Sequence, residues 1–134
     1  MHYLNKLVQV KIDRAIVSAL LRKSGLSEVS VTLCDQAMIQ KLNKKFRGQN
    51  QPTDVLSFDC GDIIICPAAA AANARKYRNT LAKELLYLLI HGLCHLQGHD
   101  HSTPRETARM QKAEQRYLAY LRKKYKIIIT GRIQ

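Results

Sequence analysis

Thr80-Leu81-Ala82-Lys83-Glu84-Leu85-Leu86-Tyr87-Leu88-Leu89-Ile90-His91-Gly92-Leu93-Cys94-His95-Leu96 decides how the rest of the chain must be arranged. Apolar side chains fall nearly all round a helix drawn through it, so it reads as a buried central helix. Its longest apolar run, Leu85–Ile90, is broken only by the hydroxyl of Tyr87. That run is far short of the ~20 residues a membrane span requires, and no span is expected.

Upstream, Val8 and Val10 suggest a short first strand, and Ile12, Ile16, Ala19 and Leu20 share one helical face that stops at Ser24-Gly25. Glu28–Cys34 alternates as a strand should, and Asp35 can cap a helix carrying Met38, Leu42 and Phe46 at four-residue spacing. A polar loop, Gly48–Thr53, leads to two strands, Val55–Phe58 and Ile63–Cys66, joined by a tight turn. Pro67 opens an Ala-rich helix to about Tyr77. After the central helix, Thr103-Pro104-Arg105-Glu106 has the cap, first-turn proline and capping-box acid of a last helix, whose buried stripe is Met110, Ala113, Tyr117 and Leu121. The order βαβαββααα predicts an α+β fold: one small mixed sheet of about four strands covered by helices, with the central helix carrying the histidine pair His91 and His95.

The chain has 134 residues, 46% apolar and 24% charged, ordinary globular usage that excludes disordered and collagen-like classes. Residues 1–134 read as a single domain with a basic C-terminal tail from about residue 122. Cys34, Cys60, Cys66 and Cys94 form no C-x-x-C pair and read as reduced thiols. Met1–Lys6 lacks the layout of a signal peptide, so the expected compartment is the cytoplasm.

Twenty-two Lys and Arg against ten Asp and Glu leave a net charge of +12, a field that attracts polyanions. Lys41, Lys44, Lys45 and Arg47 lie in an acid-free stretch between Asp35 and Asp54, and Arg116, Arg122, Lys123, Lys124, Lys126 and Arg132 follow the last acid, Glu114. Nucleic acid or an anionic lipid surface is the expected partner. A basic surface kept for solubility is the plainer alternative.

Four of the five histidines fall within His91-Gly92-Leu93-Cys94-His95-Leu96-Gln97-Gly98-His99-Asp100-His101. Residues four apart share a helical face, so His91 and His95 can hold one metal ion, and a turn at Gly98 lets His101 supply a third nitrogen. The spacing reproduces the metzincin zinc signature H-E-x-x-H-x-x-G-x-x-H, and three histidines leave a coordination position open, the catalytic rather than the structural arrangement. His99 is the competing third ligand, with less chain to reach back; Cys94 is a possible thiolate ligand but more simply a buried thiol. The peptidase general base is absent, because Gly92 stands where a glutamate belongs. Glu84, seven residues before His91, is placed to support a ligand or act as a base through water, or else forms a structural ion pair. Asp100 can orient a ligand or stabilise the turn.

His91–His101 resembles the H-G-x-L-H-L-x-G-Y-D-H signature of the YbeY-type endoribonucleases, bacterial and organellar rRNA maturation factors. Leu42-Asn43-x-x-Phe46-Arg47, then Pro52-Thr53-Asp54-Val55-Leu56-Ser57-Phe58, then Gly61-Asp62-Ile63 follow the order that family shows, and Glu84, Met110 and Glu114 are also similar. Cys94 stands where the family usually has Leu and His99 where it has Tyr; the segment before Gly61 is shorter and the tail more basic, but no ligand is lost. The resemblance implies a single-strand-specific, metal-dependent endoribonuclease acting in small-subunit ribosomal RNA processing and ribosome quality control, with one zinc per chain and Arg47 as its functional arginine.

That chemistry suits the residues. Phosphodiester cleavage needs a polarised phosphoryl oxygen and a cation for the developing charge, which a metal and Arg47 supply. Lys41, Lys44 and Lys45 extend a track for the RNA backbone, whereas the Thr53–Phe58 block reads as architecture with Asp54 a hydrogen-bond anchor. Two other readings stand beside the enzyme: a ribosome-associated RNA-binding assembly factor whose metal is structural, and, further off, a metzincin-like peptidase.

Overall fold

The computed structural model describes residues 1–130; Arg132 of the basic tail lies outside the described residues. The elements are β1 (His2–Lys6), α1 (Arg14–Ser24), β2 (Val29–Leu33), α2 (Gln36–Arg47), β3 (Val55–Phe58), β4 (Asp62–Ile65), α3 (Pro67–Lys76), α4 (Leu81–Leu96) and α5 (Pro104–Tyr125). Their order is the one read from the sequence. They build an α+β fold around one mixed four-stranded sheet, ordered β1-β2-β4-β3, with β1 and β2 parallel to their inner neighbours and β3 antiparallel to β4.

Strand alternation sends side chains to two separate cores. Val29, Val31 and Leu33 of β2 with Ile63 and Ile65 of β4 pack against α1, α4 and α5, while Ile64 joins Cys34, Ile39, Leu56 and Cys66 in a smaller cluster under α2. From Glu84 to Cys94 every residue of α4 is buried except His91. Leu85, Leu88, Leu89, Ile90 and Leu93 are at most 2% exposed, each burial being worth about 1.5–3 kcal/mol.

Polar caps set where the helices begin. Asp13 accepts from the amides of Ala15 and Ile16, Asp35 from Met38, Thr80 from Lys83 and Thr103 from Glu106. At the start of α5 the Glu106 carboxylate bonds the Thr103 hydroxyl, 3.0 Å away, rather than returning to the cap amide as a capping box does.

Two further expectations, the first strand and the start of the tail, need correction. The first strand is His2–Lys6, not Val8–Val10, because the parallel register from His2↔Val29 to Lys6↔Leu33 places the edge strand earlier; Val8 and Val10 instead pack half-buried against the main core. In α2, Met38 and Leu42 of the expected face do pack half-buried on the smaller cluster beside Ile39, while Phe46 at its end is 56% exposed. Residues 122–125 are the last turn of α5, and the chain then returns along the surface. There Ile127 and Ile129 pack on the core, and Thr130 exchanges hydrogen bonds with Asn79 and donates to the carbonyl of Tyr77 at 2.8 Å.

Candidate metal centre

The last two turns of α4 present His91 and His95 on one face, and the turn after Gly98 brings His101 back to them. Gly98 has φ of +94°, which an L side chain rarely adopts. The amide of His99 bonds the carbonyl of Cys94 and that of Gly98 the carbonyl of His95, both at 3.0 Å, the paired bonds of a Schellman stop. One nitrogen from each of His91, His95 and His101 lies within 4.8 Å of the others. One ion held between the three would sit about 2.0–2.1 Å from each nitrogen.

The other ring nitrogens fix the orientation of two of these ligands. His91 Nδ1 donates to Glu114 Oε2 at 2.6 Å, and the opposite carboxylate oxygen accepts from the Tyr87 hydroxyl at 3.1 Å. His95 Nδ1 donates to the carbonyl of His99 at 3.1 Å. Since a carboxylate and a carbonyl can only accept, both rings carry their proton on Nδ1 and turn the Nε2 lone pair toward the cluster. Burial, with His91 and His101 alongside, lowers the pKa of His95, which favours the neutral form that binds metal. Asp100 accepts from the Ser102 hydroxyl and the His101 amide, both at 2.7 Å; these two bonds, the hydroxyl first, hold its carboxyl below the usual range.

The cluster forms one wall of a cavity of about 700 Å³ whose lining also includes Asn43, Arg47, Asp54, Ser57 and Asp59. Arg47 crosses from the end of α2 to donate through Nη2 to the carbonyl of Ser57 at 2.8 Å. Asp54 accepts from Asn73 at 2.8 Å, and Asn43 donates to the carbonyl of Gln51 at 2.9 Å, so the loop between α2 and β3 is tied down from both sides.

Sequence-derived site residues therefore separate into groups. His91, His95, His101 and Arg47 share the cavity. Lys41, Lys44 and Lys45 are exposed on α2 outside its lining, and Glu84 is fully buried, also outside it. The carboxylate that reaches His91 is that of Glu114, a residue only 3% exposed. Its signal in the sequence is an acid sitting on the apolar stripe Met110, Ala113, Tyr117, Leu121 of α5. Cys94 belongs to the main core, where burial and then the charge of Glu114 push its thiol up to about 12. His99 lines the cavity, but its ring is not one of the three clustered ligands.

Gly92 explains the missing peptidase base. A Cβ at this position would lie 2.9 Å from Ile63 Cγ2 and 3.1 Å from Ser57 Oγ, so any side chain here has to push Ile63 and Ser57 aside. A glutamate would meet the same contacts from its first carbon outward.

Together the fold and the site define an α+β protein with a candidate three-histidine metal centre at the wall of a polar cavity. The family described as Endoribonuclease YbeY matches residues 3–122, and the chain belongs to that family. An Endoribonuclease YbeY of Carboxydothermus hydrogenoformans is 35% identical over 119 residues, 82% of this chain and 83% of that protein. Another, of Thermotoga maritima, is 44% identical over 86 residues, which are 60% of this chain and 57% of that protein. A solution structure of a Thermotoga maritima protein superposes with a TM-score of 0.61 at 31% identity, covering 92% of this chain and 91% of that one. Among the described residues no helix is long and apolar enough to cross a membrane.

Proposed function

We propose that this chain is a single-strand-specific, metal-dependent endoribonuclease of the cytoplasm, acting on small-subunit ribosomal RNA in its maturation and in ribosome quality control. The observation that carries the reading is the convergence of His91, His95 and His101 in one cavity with Arg47, in a chain of net charge +12 that belongs to the endoribonuclease family. The three histidines suit one zinc ion, which when bound supplies Lewis-acid polarisation of a phosphoryl oxygen. Glu114 and the His99 carbonyl hold two of the ligands in the orientation that binding requires. The Arg47 guanidinium, anchored to the Ser57 carbonyl, meets the charge that grows on the phosphate as it is cleaved. Lys41, Lys44 and Lys45 lie beyond the cavity as a track for the strand's backbone. Glu84, fully buried on α4 and outside the cavity lining, does not touch the substrate in this reading.

A purely structural metal has less support, because the turn is already secured by the Schellman bonds, by Asp100 with Ser102, and by Thr107 Oγ1 donating to the His101 carbonyl at 3.3 Å. The test is cleavage of matched single-stranded and duplex RNA, with casein alongside. The reading expects the single strand to be cut and the duplex and casein spared; cleavage of casein with RNA intact would return the peptidase reading.

A further inference from the structure

Phe46 leaves a large apolar ring 56% exposed at the end of α2, next in the chain to Arg47, which lines the histidine cavity. Its centroid is 5.2 Å from that of Phe58, the planes 65° apart in edge-to-face contact. Each ring has a cation over it: Lys45 Nζ lies 5.2 Å from the Phe46 centroid and Arg47 Cζ 5.8 Å from that of Phe58. Arg47, which follows Phe46, and Ser57 and Asp59, which flank Phe58, all line the histidine cavity. The two rings thus form an aromatic step at its rim, on the acid-free stretch between Asp35 and Asp54 in the case of Phe46.

We propose that Phe46, buttressed by Phe58, is the stacking platform for one unpaired nucleobase of the RNA strand whose backbone enters the cavity, an assignment that rests on the endoribonuclease reading above. A flat ring flanked by lysine and arginine matches the two chemistries of a single strand, a π-face on each base and a phosphate on each side of it. Any of the four bases can stack, so the platform confers no sequence preference. A duplex keeps both faces of its bases covered and gains nothing from the ring, so the same feature favours single strands.

The chain contains no tryptophan, and Phe46→Trp therefore places a lone fluorescent reporter at the rim. Metal-loaded Phe46→Trp protein is mixed rapidly with oligoadenylate, with duplex RNA of equal length, or with inorganic polyphosphate, and fluorescence is read before turnover. Quenching by oligoadenylate several-fold greater than by the other two supports the platform; equal quenching by all three, or none, overturns it. In steady-state cleavage, Phe46→Ala should raise KM by about tenfold, the scale for losing one stacked base, with kcat and metal content near parental. Phe46→Tyr should restore KM and Phe46→Leu should not. If the parental protein cuts RNA while Phe46→Ala keeps its KM, the platform fails and the nuclease stands. If the parental protein neither binds nor cuts RNA, the endoribonuclease reading fails and takes the platform with it.

Discussion

His91 Nδ1 lies 2.6 Å from Glu114 Oε2, joining the last turns of α4 to the middle of α5 across 23 residues of sequence. The bond gives a buried carboxylate its partner and fixes which nitrogen of His91 faces the cluster. Glu114→Gln should therefore weaken zinc binding by about 10–100-fold, measured by competition with a chelating dye. Tyr87→Phe, which removes only the hydroxyl on the far carboxylate oxygen, should weaken it less. Unchanged affinity in Glu114→Gln would show that His91 is held by packing alone.

Gly92 makes a second, steric prediction. Gly92→Ala drives a methyl group against Ile63 and Ser57 and should cost about 1–3 kcal/mol of stability by chemical denaturation. Gly92→Glu, which restores the peptidase consensus, should be less stable still and acquire no activity on casein. A fully stable Gly92→Ala would mean that α4 can lift off the sheet without penalty.

For Arg47, the contrast is between turnover and binding. An arginine that only holds substrate raises KM when removed, whereas one that meets developing charge lowers the chemical rate. Arg47→Ala should slow single-turnover cleavage by about 10²–10³-fold with metal content unchanged. Arg47→Lys should recover part of that loss, because a point charge lacks the planar fork. A parental rate in Arg47→Ala would leave this residue as one cation among many.

RNA affinity should fall steeply with salt. Lys44→Gln with Lys45→Gln should flatten the dependence of log affinity on log salt by roughly 0.7 for each phosphate that the protein no longer neutralises, as read by fluorescence anisotropy. An unchanged slope would move the backbone track off α2.

How much of this was legible in the sequence depends on how local each signal is. The histidine spacing, the stop at Gly98 and the caps at Asp35, Thr80 and Thr103 are set by residues a few positions apart, and a helix or turn displays them directly. The edge strand β1 is less visible. Only His2 and Leu4 are even half-buried in it, so the apolar pair Val8 and Val10 gave the stronger strand signal although it belongs to the following loop. Met38, Leu42 and Phe46 do share a helical face, and Met38 and Leu42 pack on the small core around Ile39, but that core is too short to reach Phe46, which is exposed. The pairing of Glu114 with His91 depends on how α5 packs against α4, which no periodicity encodes. The buried acid was readable from its stripe; its partner was not.

The central claim is that RNA cleavage depends on metal held by the three histidines. The most direct measurement strips the purified protein with a chelator, returns zinc in steps, and follows both bound metal and cleavage of a single-stranded RNA, in parallel with His95→Ala. Activity that vanishes on stripping, returns as metal approaches one equivalent per chain, and stays absent in a folded His95→Ala is the result predicted here. Cleavage that persists in metal-free protein, or at the parental rate in His95→Ala, would contradict it.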